Sequence, residues 1–111
     1  MSIEQKNIVD LIGINKETGL LELAIVDNLD WNDPDSHCQF LQDKVNAYLG
    51  FIESGEIYDS YPDAKNRRFK IIVFAKYQPC KLGDEFVEKL NAALHDLGYG
   101  FQFKLFENFQ E

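Results

Sequence analysis

The chain is poor in cysteine, proline, methionine and tryptophan, with two, three, one and one residues among 111. Two cysteines, Cys38 and Cys80, cannot build the disulfide framework that small secreted domains rely on, so both are expected as free thiols. No apolar run approaches the roughly 20 residues that a bilayer-crossing helix needs. Met1 to Asn7 is polar and Ile8 to Ile14 is interrupted by Asp10 and Gly13, unlike a secretory signal. The expectation is a soluble cytoplasmic protein with no membrane partner.

Positive charge is also scarce. Eleven Lys and Arg face 19 Asp and Glu, a net charge of −8. Binding to a phosphate backbone needs clusters of Lys and Arg that displace counterions, and the one basic cluster here, Lys65, Arg67, Arg68 and Lys70, is short. A nucleic-acid partner is therefore not expected. Familiar catalytic machinery is missing as well: there are two histidines, His37 and His95, no serine elbow and no HExxH. Gly98-Tyr99-Gly100 follows a helix and precedes a strand, the reverse of a phosphate-binding turn. No cofactor is expected, and the chain is read as a non-enzyme.

What is present suffices for one core. The chain is 45% hydrophobic and 14% aromatic, and its length suits a single domain over residues 1–111. Ile8 to Asn15 and Leu20 to Asp27 are β-rich runs around a polar loop ending in Gly19, which reads as a hairpin. Asp33-Pro34 reads as a helix start, the aspartate capping free N–H groups and proline tolerating the first helical position. Cys38, Leu41, Val45, Tyr48, Leu49 and Ile52 then recur at spacings of three and four, a stripe expected to face the core. Gly55 stops this helix, and Glu56 to Tyr61 is expected to form one further short turn. Phe69 to Tyr77 is a nearly continuous apolar strand. A second helix from about Leu82 to Leu97 carries Phe86, Leu90, Ala93, Leu94 and Leu97 at helical spacing, with Gly98 as its stop. The last strand is Phe101 to Phe106.

The order ββαβαβ, with two right-handed crossovers stepping the same way, predicts an α/β fold of α+β-like two-layer form. The simplest form of its four-stranded mixed sheet has order 1-2-3-4, strand 1 antiparallel and both helices on one face, and the runner-up order inserts the last strand between others. The loops after strands 2 and 3 and the chain end Glu107 to Glu111 would then share the carboxyl edge, where open α/β sheets often bind ligands. The opposite face would carry Glu22, Lys70, Lys76 and Lys104 with Ile72, Phe74 and Phe106.

Charge is concentrated in one window. Residues 27–63 hold nine acids (Asp27, Asp30, Asp33, Asp35, Asp43, Glu53, Glu56, Asp59 and Asp63) and one base, Lys44, so they account for the whole net charge. Clustered aspartates invite a metal reading, but the turn glycine and closing glutamate of a calcium loop are missing. Helix capping and a solvated loop explain most of the pattern. Cys38, in a first helical turn beside His37, could be a nucleophile with a lowered pKa; its place on the apolar stripe favours a packing thiol. Trp31 either folds back to cap the core or stands out as an anchor for a partner, and the cost of leaving it wet favours the cap. Tyr58 and Tyr61 share that ambiguity.

Four stretches resemble a family of small uncharacterised bacterial α/β proteins, a domain of unknown function: Val9-Asp10-Leu11-Ile12-Gly13-Ile14, Asp27-Asn28-Leu29-Asp30-Trp31, Asn46 to Glu56, and Tyr61-Pro62. The resemblance implies a stand-alone domain and brings no catalytic residue with it.

The leading functional expectation is a non-enzymatic acidic module that binds a cationic protein. Its sharpest form is an immunity-type protein that neutralises a cationic toxin. Contact candidates are Asp27, Asp30, Trp31, Asp33, Asp35, Glu53, Glu56, Tyr58 and Asp59, with no metal and no catalytic residue among them. One alternative is a metal- or small-ligand-dependent enzyme using Asp27 and Asp30 at the carboxyl edge. Another is a domain that self-associates through its uncovered sheet face, leaving monomer and homodimer both open.

Overall fold

The computed structural model describes residues 10–105. Strand β1 (Leu11–Ile14) turns through residues 15–20 into β2 (Leu21–Asp27). Asn15 closes the turn twice over: its carbonyl accepts from Gly19 N–H at 2.8 Å and its side chain from Glu17 N–H at 2.9 Å. Gly19, at φ 76°, supplies the left-handed step.

Helix α1 (Pro34–Glu53) begins as expected, with proline in its first turn and Asp33 as the cap. Asp33 accepts from Ser36 N–H at 3.3 Å and Ser36 Oγ–H at 2.9 Å. Gly55, at φ 86°, breaks the helix and opens α2 (Glu56–Ser60), which runs into a 3₁₀ turn (Pro62–Ala64). The turn expected after Gly55 is thus a short helix. Strand β3 (Phe69–Ala75) follows, then α3 (Lys81–Asp96) and β4 (Gly100–Leu105). Gly98, at φ 89°, stops α3.

The sheet order is β1-β2-β3-β4, with β1 antiparallel to β2 and the other two pairings parallel. This is the expected α/β topology. Alternation sends Leu21, Leu23, Ile25 and Asp27 of β2 and Phe69, Ile71, Val73 and Ala75 of β3 toward the helices. There they meet Leu41, Val45, Tyr48 and Ile52 of α1 and Leu90 and Leu94 of α3. Fully burying each such aliphatic side chain contributes about 1.5–3 kcal/mol. The other face presents Glu22, Lys70 and Lys104 around Ala24 and Ile72, with Lys104 Nζ 5.9 Å from the Phe74 ring centroid.

Several expectations shift. The α1 stripe is His37, Leu41, Lys44, Val45, Tyr48 and Ile52, whereas Cys38 and Leu49 are only partly buried. On α3, Ala93 is exposed, and Leu97 lies just past the helix end at 58% exposure, clear of the core. Strand β3 ends at Ala75, two residues before the expected Tyr77, because Gln78-Pro79 already redirects the chain. Ile8, Val9, Phe106 and Glu107 to Glu111 lie outside the described residues.

Candidate functional site

The alternation that packs β2 against the helices also carries Asp27, its last residue, inward at the carboxyl edge. The first turn of α1 brings His37 over it. Both side chains are 1% exposed. His37 Nε2 stands 2.6 and 2.8 Å from the two carboxylate oxygens of Asp27, and Nδ1 donates to the Asp30 carbonyl at 2.9 Å. A carbonyl only accepts, so Nδ1 is the donor there, and Nε2 faces the two carboxylate oxygens. Neither ring nitrogen is left to take a proton from a substrate or to bind a metal.

Two turns along α1, a second buried pair joins the helix to the start of β1. Lys44 Nζ donates to Asp10 Oδ1 at 3.1 Å, and Asp10 Oδ2 accepts from Val26 N–H at 2.8 Å. Tyr48 Oη donates to the Ala24 carbonyl at 2.6 Å and accepts from Asp10 N–H at 2.8 Å. Burial holds the Tyr48 hydroxyl well above the ordinary tyrosine range, an effect partly offset by the Asp10 N–H that it accepts. Charges taken out of water persist only when paired and hydrogen-bonded, and these are.

Trp31 closes the edge. Its ring stacks on His37 with centroids 3.6 Å apart and planes 15° apart. The ring also lies against Gly83, so closely that a Cβ built there would sit 2.7 Å from it. The indole nitrogen is buried without a hydrogen-bond partner among the described residues. Trp31 therefore caps the core, and the question that its sequence context leaves open is answered by His37 and Gly83.

Outside this edge the helices present carboxylates. On their surfaces are Asp35, Asp43 and Glu53 of α1, Glu56 and Asp59 of α2, and Asp84, Glu85, Glu88 and Asp96 of α3. Lys81, Lys89 and His95 are the exposed bases of the described helices. Between the amino-terminal halves of α1 and α3 lies an open groove of about 350 Å³ that includes Asp35, Cys38, Leu82, Glu85 and Phe86. The Cys38 thiol is pushed up by burial first and by Cys80 and Asp35 after that, so it stays protonated and lines the groove as an apolar wall. Among the described residues no group of three or more His, Cys, Asp and Glu is placed to hold a metal ion, and no helix is long and apolar enough to cross a membrane.

A family model described as a family of unknown function (DUF6572) matches residues 1–107. The chain belongs to that family. No curated protein and no solved structure matches it. DUF6572 membership agrees with the resemblance drawn from the sequence and assigns no chemistry, so the site rests on geometry.

The structure divides the sequence-derived candidates into three groups. Asp27 is a correction: it is buried and bonded to His37, so it cannot contact a partner or offer itself as a ligand. Asp33 is occupied as the α1 cap, and Asp30 turns back on Asn32, accepting from its N–H and its side-chain amide, each at 3.1 Å. Asp35, Glu53, Glu56 and Asp59 are exposed, whereas Tyr58 is half-buried and leans on Phe69 with ring centroids 6.4 Å apart. Asp35 and Glu53 stand near opposite ends of a 20-residue helix, about 30 Å long. The two clusters are not one site. Asp10, His37, Lys44 and Tyr48 were missed, although a signal existed: His37, Leu41, Lys44 and Tyr48 recur at spacings of four, three and four, which places a histidine and a lysine on the apolar stripe.

Proposed function

We propose that the protein is a non-enzymatic binding module that presents its acidic helical layer to a cationic protein. An immunity-type protein that covers a cationic toxin is the most specific form of this reading. The observation that carries it is charge segregation. The described helices hold eight exposed carboxylates, the part-buried Asp43 and two exposed lysines, while the opposite sheet face carries Lys70 and Lys104 against Glu22. A one-signed face of this kind speeds encounter with a complementary surface and fixes its orientation. Against the enzyme alternative, Asp27 is buried against His37, while Asp30 stays exposed and accepts from Asn32. A bacterial, cytoplasmic setting belongs to the same proposal, supported by the unpaired thiols of Cys38 and Cys80 and by the resemblance to small bacterial proteins.

The test is affinity capture from a bacterial lysate with the wild-type chain and with a variant whose helical carboxylates are changed to Asn and Gln. The expected result is enrichment of strongly basic proteins that elute with salt and are absent from the variant sample. Partners that are neutral or acidic, or equally retained by the variant, contradict the proposal.

A further inference from the structure

We infer that the groove between the amino-terminal halves of α1 and α3 seats an amphipathic segment of a cationic partner, one arginine lying across the rim and an apolar neighbour on the floor. This rests on the proposed function and narrows it to one part of the acidic layer. The floor is apolar and wet: Leu82 is 46% exposed, Phe86 is half-buried, and the small Cys38 leaves the space between the helices unfilled. The groove's volume, about 350 Å³, is at the low end of the range of ligand pockets, enough for one or two side chains.

The rim consists largely of acceptors. Asp35 and Glu85 are exposed and have no hydrogen-bond or ion-pair partner among the described residues. Gln39 and Gln42 also line the groove, and each commits one of its two amide N–H groups within α1, to Asp43 at 2.9 Å and to Asn46 at 3.0 Å. Their carbonyl oxygens remain as acceptors. Carboxylates and carbonyls over an apolar floor complement a guanidinium, which offers five donors, accepts nothing and carries an apolar stem. The helices follow parallel strands and run the same way, so Asp35 and Leu82 mark one end of the groove and Lys89 the other. The arginine belongs near Asp35 and Glu85, away from Lys89.

The experiment titrates the ¹⁵N-labelled full chain at low salt with a short synthetic helical peptide carrying Leu and Arg four residues apart, and with its citrulline counterpart. The expected amide shifts centre on Gln39, Gln42, Leu82 and Glu85. Affinity should fall at least about fivefold with citrulline, with Glu85→Gln or with Leu82→Ser, and change less than about twofold with Glu56→Gln/Asp59→Asn. Leu82 and Glu85 are exposed, so unchanged melting temperatures are expected for those variants. Shifts centred on α2 and abolished by the Glu56→Gln/Asp59→Asn variant overturn the groove while leaving the acidic-module reading intact. No binding anywhere on the helical layer overturns both.

Discussion

Removing the Tyr48 hydroxyl strips the Ala24 carbonyl and the Asp10 N–H of their partner inside the core. Tyr48→Phe should therefore destabilise the fold by about 2 kcal/mol, read from urea unfolding, even though it removes a single oxygen. The same group sets an alkaline limit. Its folded-state pKa is raised, so its contribution is complete below the ordinary tyrosine value of about 10 and is lost as pH rises through the higher folded value. In an absorbance titration Tyr48 should ionise only together with unfolding, and Tyr48→Phe should delete that late step. Asp27 and His37 form a unit of the same kind. Asp27→Asn and His37→Gln are each expected to cost about 3 kcal/mol, with the double variant far from additive, because either single change leaves a buried group without its partner. These residues were hard to read from the sequence for a physical reason. A His or Lys at helical spacing with leucines looks like a solvated edge of the stripe until a carboxylate from a distant strand is known to reach it. Asp10 precedes Lys44 by 34 residues.

Helix α3 offers a case in which propensity and packing pull in opposite directions. In a helix, Gly→Ala ordinarily stabilises by up to about 1 kcal/mol. At Gly83 the new Cβ would meet Trp31 ring carbons at 2.7 and 2.9 Å and Pro79 Cβ at 3.0 Å. Gly83→Ala should therefore destabilise, by about 1–3 kcal/mol, and shift the Trp31 fluorescence as the indole is displaced from His37. Stabilisation with unchanged fluorescence would mean that the Trp31 cap does not form. At the start of α1, Asp33→Ala should cost about 1 kcal/mol as a lost cap, whereas Asp35→Asn, with no partner among the described residues, should leave thermal stability nearly unchanged. The elements were the most legible part of the chain. Asp33-Pro34, Gly55 and Gly98 mark the helix ends through local chemistry alone, and the parallel pairings follow from two crossovers of the same hand. Trp31 was not legible, because what decides its position is a glycine more than fifty residues away that leaves room for a ring.

Across the molecule, acids far outnumber lysines on the helical side, whereas the opposite sheet face carries Lys70 and Lys104 against Glu22, and part of this was visible in the sequence. The charged window at residues 27–63 correctly located Asp35, Glu53, Glu56 and Asp59 on the surface. It could not include Asp84 and Glu88 of α3, or Glu85, which that helix brings alongside α1 only once β3 and β4 pair in parallel. It counted Asp27 as surface charge although the fold buries it. The resulting face, rather than any one aspartate, is the feature proposed to recognise a partner. Fields from exposed charges are screened within roughly 10 Å at 0.1 M salt, so association driven by this face must respond to ionic strength. The decisive measurement is the association rate with the most enriched basic protein from the capture experiment, followed by stopped flow from low to physiological salt. Wild type is compared with Asp35→Asn/Glu85→Gln/Glu88→Gln. The rate should fall by at least about tenfold over that range, and the variant should start slower and respond less. A rate independent of salt, or identical in the variant, would contradict the claim that the acidic helical layer is the binding face.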